Sequence, residues 1–234
     1  MKYSWLLVDA DGTVFDFDLA ESTALGKAFK DFGLAFKTDY MDVYRRINAK
    51  IWLEFERGRI SQDILRTRRF ELLFRAVEVD CDIAAFSTCY LEHLANCSFL
   101  INGAEQTIAY LYGKVGLVVI TNGLKDVQRP RIGRSRIGQY FGDVVISEEV
   151  GAAKPDAKIF EVAFSRMGNP EKEKVLIVGD SLTSDIKGGS DFGIDTCWYN
   201  PARKPRLPDV RVHYEIDNLR QLVGICVPGV TRLP

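Results

Sequence analysis

The chain has 234 residues, of which 47% are apolar, and a formal net charge of -1. That composition supports a sizeable core and excludes a disordered chain, and the balanced charge gives no support to general nucleic-acid or anionic-membrane binding. No apolar stretch approaches the ~20 residues of a membrane span, and the start, Met1-Lys2-Tyr3-Ser4-Trp5, does not read as a signal peptide, so the expected location is cytoplasmic.

Along the chain, short apolar runs recur at Trp5–Val8, Leu117–Ile120, Val144–Ile146, Val175–Val178 and Thr196–Tyr199. Their length and β-branched content predict buried parallel strands. Between them lie helical patterns at Ala104–Leu111, Lys158–Met167 and Asp185–Phe192, the last stopped by Gly193. The alternation predicts an α/β fold with a doubly wound, mainly parallel, Rossmann-like sheet. One stretch breaks it. Residues 19–97 carry a helical period with no convincing strand, as in "DVYRRINAKIWLEFERG", and "SQDI" from Ser61 reads as a helix start. This stretch is too long for a crossover loop. It predicts a helical domain at 19–97 inserted into a core of 1–18 and 98–234. After a surface loop, "NPARKPRLPD", a short strand around Val212–Ile216 and a last helix around Asn218–Val223 close the chain.

Ligands of open parallel sheets bind outside the carboxyl ends of the strands. The first predicted strand runs into "VDADGTVFDFD", placing Asp9, Asp11, Gly12 and Thr13 there. The second ends in Thr121, Asn122 and Gly123. "SEEVGAAKPD" puts Lys154 after the third, and "GDSLTSD" puts Asp180, Ser181 and Asp185 after the fourth. Acid, hydroxyl, amide, lysine and acid converging on one sheet edge point to phosphoryl transfer. A carboxylate attacking a phosphate dianion meets strong repulsion, and a magnesium ion with oxygen ligands removes it. Asp9 and Asp180 can hold that ion from adjacent strands. Lys154 and Asn122 can orient phosphoryl oxygens, and a hydroxyl, Thr121 or Ser181, can donate to them. Asp11, two residues beyond Asp9, can act as general acid and then as base.

These four segments resemble the motifs of the haloacid dehalogenase (HAD) superfamily, in order and in spacing, across essentially the whole chain. The resemblance implies that Asp9 is a nucleophile forming an aspartyl-phosphate. It further implies that Asp11 is the acid/base and that the Asp11 carbonyl joins Asp9 and Asp180 on magnesium. Thr121 and Lys154 would hold phosphate, Asp185 would orient the magnesium shell, and the helical insertion would be a cap closing over the substrate. "DADGTVFDFD", "ISEEVGAAKPD", "NPEKEKVLIVGDSLTSDIKGG" and "INAKIWLEFERGRIS" are similar to the YjjG-type branch, pyrimidine nucleoside 5'-monophosphate phosphatases. The implied partner is a small phosphorylated metabolite such as a nucleoside monophosphate. Oligomeric state stays open.

Other features read as structural. Asp16 and Asp18 fit a helix N-terminus. Arg129, Arg131, Arg134 and Arg136 read as a solvated helix face. His93 and His213 read as structural. The five cysteines, Cys81, Cys89, Cys97, Cys197 and Cys226, form no CxxC and read as buried free thiols. Asn48, Trp52 and Arg45 of the insertion could face substrate but read first as packing or solvated residues. The competing activities are a phosphatase or phosphomutase acting on another small phosphometabolite, which shares the core, and a haloacid dehalogenase, which needs neither a metal nor Asp11.

Overall fold

The computed structural model describes residues 2–227 and 229–230. In chain order it contains β1 (Trp5–Val8), α1 (Phe17–Asp31), α2 (Thr38–Glu56), α3 (Gln62–Val77), α4 (Ile83–Ala95), α5 (Ala104–Leu111), β2 (Gly116–Thr121) and α6 (Lys125–Arg134). There follow β3 (Asp143–Ile146), α7 (Ser147–Val150), α8 (Ala157–Arg166), β4 (Val175–Gly179), α9 (Lys187–Phe192), β5 (Asp195–Tyr199), β6 (Tyr214–Ile216) and α10 (Gln221–Cys226).

The strands form one parallel sheet in the order β3-β2-β1-β4-β5-β6. Side chains alternate between faces along a strand, so a sheet covered on both faces needs apolar residues at every position. That is what β1, β2 and β4 contain. Leu6, Val8, Leu117, Val119, Leu176 and Val178 face one layer, with Ile108, Leu111, Ile132 and Leu222. Leu7, Val118, Ile120 and Ile177 face the other, with Ile159, Phe160, Ala163 and Phe164 of α8. The chain runs outward from β1 through β2 to β3 and then returns to β1's other side as β4. The strand order therefore reverses at β1/β4, the position where open α/β sheets bind ligands. Val8 pairs with both Val119 and Val178, which brings the ends of β1, β2 and β4 level.

The chain divides into two compact units, residues 1–17 with 98–234, and residues 18–97. The second unit holds α1–α4, and no strand occurs among its described residues. Its core is aromatic: Phe29 meets Phe86 edge-on at 5.3 Å between centroids, and Phe70 meets Tyr90 at 5.1 Å. Ser61 caps α3 by accepting from the Ile64 N–H, and Asp82 caps α4 by accepting from the Ala85 N–H.

The expected helix at Asp185–Phe192 differs from the observed one. It opens with a single π-helical turn, Leu182–Ile186, before α9 begins. The Gly193 stop is as expected, in the left-handed region at φ 88°. The last helix lies three residues later than the sequence pattern placed it. None of the described helices is long and apolar enough to cross a membrane.

Candidate active site

The end of β1 delivers Asp9 into a nearly closed polar cluster. Its Oδ2 accepts a hydrogen bond from the Thr13 hydroxyl at 2.9 Å, and its Oδ1 accepts from Lys154 Nζ at 2.7 Å. Lys154 is itself buried. Its ammonium also donates to the Ile120 carbonyl at the end of β2, 2.7 Å away, and lies 2.6 Å from Asp185 Oδ1. Asp185 belongs to the π-helical turn, where its Oδ2 accepts from the Ser181 N–H at 3.0 Å. Single π turns occur frequently at functional sites. Asp180 follows β4, and its carbonyl accepts from Trp198 Nε1 at 2.9 Å. Glycines give these groups room. Gly12 has φ +83°, and a Cβ there would stand 2.8 Å from Asp180 Oδ2. A Cβ on Gly179 would stand 2.3 Å from the Asp185 carboxylate.

One carboxylate oxygen from each of Asp9, Asp180 and Asp185 lies within 4.8 Å of the others. With all three carboxylates ionised, one ammonium opposes three negative charges, a buried excess of two. Burial first, and then the neighbouring Asp185, push the Asp9 carboxyl well above its ordinary range, against the pull of Lys154. The same two causes push Asp180 up to about 7. Burial works against the charge on Lys154, but Asp185 and Asp9 outweigh it and hold the ammonium above its ordinary value. A cluster of carboxylate oxygens whose joint ionisation is opposed by burial and mutual repulsion fits a hard divalent cation such as magnesium, which would relieve both. Asp9, Asp180 and Asp185 are the side chains placed to hold one.

Asp11 stands apart from that cluster. Its Oδ2 accepts from Gln128 Nε2 at 2.5 Å, and its Oδ1 is ion-paired with Arg131 Nη1. Both partners come from α6. The Arg131 side chain is fully buried and lies over the Phe15 ring at 4.7 Å.

Residues 3–193 match the family model of the haloacid dehalogenase-like hydrolases. The chain belongs to this family. Among the proteins it is similar to is the HAD-hydrolase YfnB of Bacillus subtilis, 37% identical over 96% of this chain and 95% of that one. It is 32% identical to the pyrimidine 5'-nucleotidase YjjG of Escherichia coli, covering 95% of this chain and 97% of that one. It is 35% identical to the pyrimidine 5'-nucleotidase PynA of Streptococcus pneumoniae, covering 95% and 94%. A crystal structure of YfnB bound to magnesium matches with a TM-score of 0.91 over 97% of this chain and all of that one, at 36% identity.

Within this HAD hydrolase the residues expected from the sequence fall into three groups. Asp9, Asp180, Lys154 and Thr121 converge at the strand ends. Thr121 is buried and accepts from the Gly123 N–H at 3.1 Å, which leaves its own proton free to donate. Asp185, expected to orient the metal shell, lies beside the Asp9 and Asp180 carboxylates, with its own oxygens against Lys154 Nζ and the Ser181 N–H. Two residues are occupied otherwise than expected. Asn122 clamps the main chain of Lys154, donating to its carbonyl at 2.9 Å and accepting from its N–H at 2.7 Å. Both ends of its amide are used, so its side chain positions the Lys154 main chain. Ser181 Oγ caps the π-helical turn by accepting from the Ser184 N–H at 3.2 Å, and shares a hydrogen bond with Thr183.

The arginine group also departs from expectation. Arg136 is solvated and Arg129 pairs with Glu149 at 2.5 Å, but Arg131 is buried against Asp11. Gln128 drew no notice in the sequence. The signal was present: Val127, Gln128, Arg131 and Ile132 form the buried stripe of α6, so two polar residues interrupt an apolar face. Of the cysteines, Cys97, Cys197 and Cys226 are buried free thiols as expected, while Cys81 and Cys89 are half-exposed.

Proposed function

We propose that this HAD hydrolase is a magnesium-dependent phosphomonoesterase acting through an aspartyl-phosphate on pyrimidine nucleoside 5'-monophosphates. The observation that carries the reading is the clustering of three carboxylates at the switch point, Asp9, Asp180 and Asp185, around the single ammonium of Lys154. The substrate class rests on the likeness to YjjG and PynA. Magnesium, when bound, supplies the positive charge that lets a carboxylate meet a phosphate dianion.

The chain's residues do the rest. Thr13 and Lys154 fix both oxygens of Asp9, so the nucleophile is oriented before substrate arrives. An Asp9 oxygen forms the new bond to phosphorus as the bond to the ester oxygen breaks. Asp11 gives that oxygen its proton, and the nucleoside leaves. Water then loses a proton to Asp11 and attacks phosphorus, which frees Asp9 and inorganic phosphate. Thr121 donates to a phosphoryl oxygen. The helical unit, residues 18–97, serves as the cap that selects the substrate. A haloacid dehalogenase shares the fold, but its reaction uses no cation, so it has no use for carboxylates that only a cation lets ionise together.

The test is rapid quench with labelled nucleotide. Wild type should show protein-bound phosphate that turns over, Asp9→Asn should show none while staying folded, and activity should vanish in EDTA and return with magnesium. Full nucleotide hydrolysis in EDTA would overturn the metal dependence, and turnover of a haloacid with none of the nucleotide would transfer the assignment to the dehalogenase reaction.

A further inference from the structure

Arg131 is the side chain that neither packing nor the proposed chemistry explains. A fully buried guanidinium costs several kcal/mol of desolvation, and an apolar residue of similar volume would serve packing as well or better. Among the contacts Arg131 makes that an apolar residue could not is an ion pair with Asp11 Oδ1. Three residues earlier on the same helix, and therefore on the same face, Gln128 donates to Asp11 Oδ2. The two carboxylate oxygens are thus held by two donors from one rigid element. The Phe15 ring backs the guanidinium. Gly123 makes the arrangement possible: a Cβ there would stand 2.3 Å from Gln128 Nε2. The glycine that follows Thr121 and Asn122 is thereby accounted for by the space Gln128 needs to reach Asp11.

We infer that Gln128 and Arg131 are positioning residues for the acid/base, setting the orientation from which Asp11 exchanges protons with the leaving oxygen and with water. They touch Asp11 and have no part in bonding to phosphate. The inference rests on the reading of Asp11 as acid/base given above. With each oxygen held by its own donor, the carboxylate plane and its remaining lone pairs are fixed too. A proton is then transferred from one geometry and not from a spread of side-chain rotamers. Displacing a reacting group by about 1 Å costs on the order of 10²-fold in rate, which sets the scale of the effect.

The experiment measures the phosphorylation step by rapid quench with two esters. One is a nucleoside 5'-monophosphate, whose alkoxide leaving group needs a proton. The other is nitrophenyl phosphate, whose leaving group does not. Gln128→Leu and Arg131→Met should slow the nucleotide reaction by about 10–100-fold, with KM little changed, and slow the nitrophenyl reaction much less. Arg131→Lys keeps the charge but not the planar fork and should recover only part of the rate. In an Asp11→Asn background, Gln128→Leu should add no further selective loss, because the two residues act through one group. If Arg131→Met does not fold, Gln128→Leu, which removes one neutral donor, carries the test. Should both esters slow equally, or the losses add in the Asp11→Asn background, the positioning role is overturned while the acid/base role stands. Should Asp11→Asn itself show no selective loss on the nucleotide, the underlying reading of Asp11 fails instead.

Discussion

Glu21 is a buried carboxylate in the helical unit, and its removal gives a quantitative test of what burial costs there. It sits on α1, and its Oε1 accepts from Asn48 Nδ2 of α2 at 2.8 Å. Asn48 Oδ1 in turn accepts from Arg69 Nη1 of α3 at 3.3 Å, so one polar chain ties three helices together. Arg45 Nε lies 3.7 Å from the other Glu21 oxygen. Burial is the largest influence and raises the carboxyl from the ordinary 4.5 to about 7, against the pull of Arg45 and Arg69, with a push from Asp18 and a lesser pull from the Asn48 hydrogen bond. The folded chain therefore binds a proton at Glu21 more tightly than the unfolded chain does. The associated stability is fully present below pH 4.5 and is lost as pH rises through about 7. At about 1.36 kcal/mol per pH unit, the interval is worth about 3 kcal/mol.

Glu21→Gln keeps the shape and the acceptor for Asn48 but cannot ionise. Relative to wild type, the variant should gain about 3 kcal/mol between pH 4 and pH 8.5. The assay is amide hydrogen exchange followed by mass spectrometry on peptides from residues 18–97, with wild type and variant compared at each pH so that intrinsic exchange cancels. Local exchange is preferred to a global melt because the chain has two units. Opening constants should differ by roughly 10²-fold more at pH 8.5 than at pH 4. A gap that stays flat with pH, or one that favours wild type at high pH, would mean that Arg45 and Arg69 outweigh burial, and the reasoning would be refuted.

Three further outcomes follow from the carboxylate cluster. Gly12→Ala places a Cβ 2.8 Å from Asp180 Oδ2 and forces a left-handed φ on alanine; it should cost about 1–3 kcal/mol of stability and weaken magnesium binding, read by urea unfolding and by calorimetry. Lys154→Met leaves three acidic side chains without their ammonium and should lose about 3–5 kcal/mol near neutral pH; an unchanged urea midpoint would show that the ion pairs contribute nothing. Magnesium at 100 times its dissociation constant should stabilise EDTA-treated wild type by about 2.7 kcal/mol, and Asp180→Asn should remove that gain; a melting temperature indifferent to magnesium in wild type would exclude the cluster as a metal site.

Much of this was written locally in the chain. A parallel strand covered on both faces must be a short continuous apolar run, so Trp5–Val8 could be read to the residue, and the other strands differed by one or two residues at their ends. A strand that stops at the ligand edge shows where it stops, and Asp9, Thr121, Lys154 and Asp180 were therefore visible as a set. The helical unit was visible because its period was 3.6 and never 2. What the sequence could not decide was the use of each polar group, since that depends on partners brought near by folding. Asn122 looks like a phosphate ligand until the main chain of Lys154, 32 residues on, occupies both ends of its amide. Asp185 looks peripheral until the π-helical turn brings it to Asp9 and Asp180. Four arginines at helical spacing look alike, and only the docking of α6 against the sheet buries Arg131 beside Asp11, 120 residues earlier in the chain. Periodicity and burial are properties of neighbours in sequence, whereas charge pairing is a property of neighbours in space, and only the packed sheet and its helices supply the second.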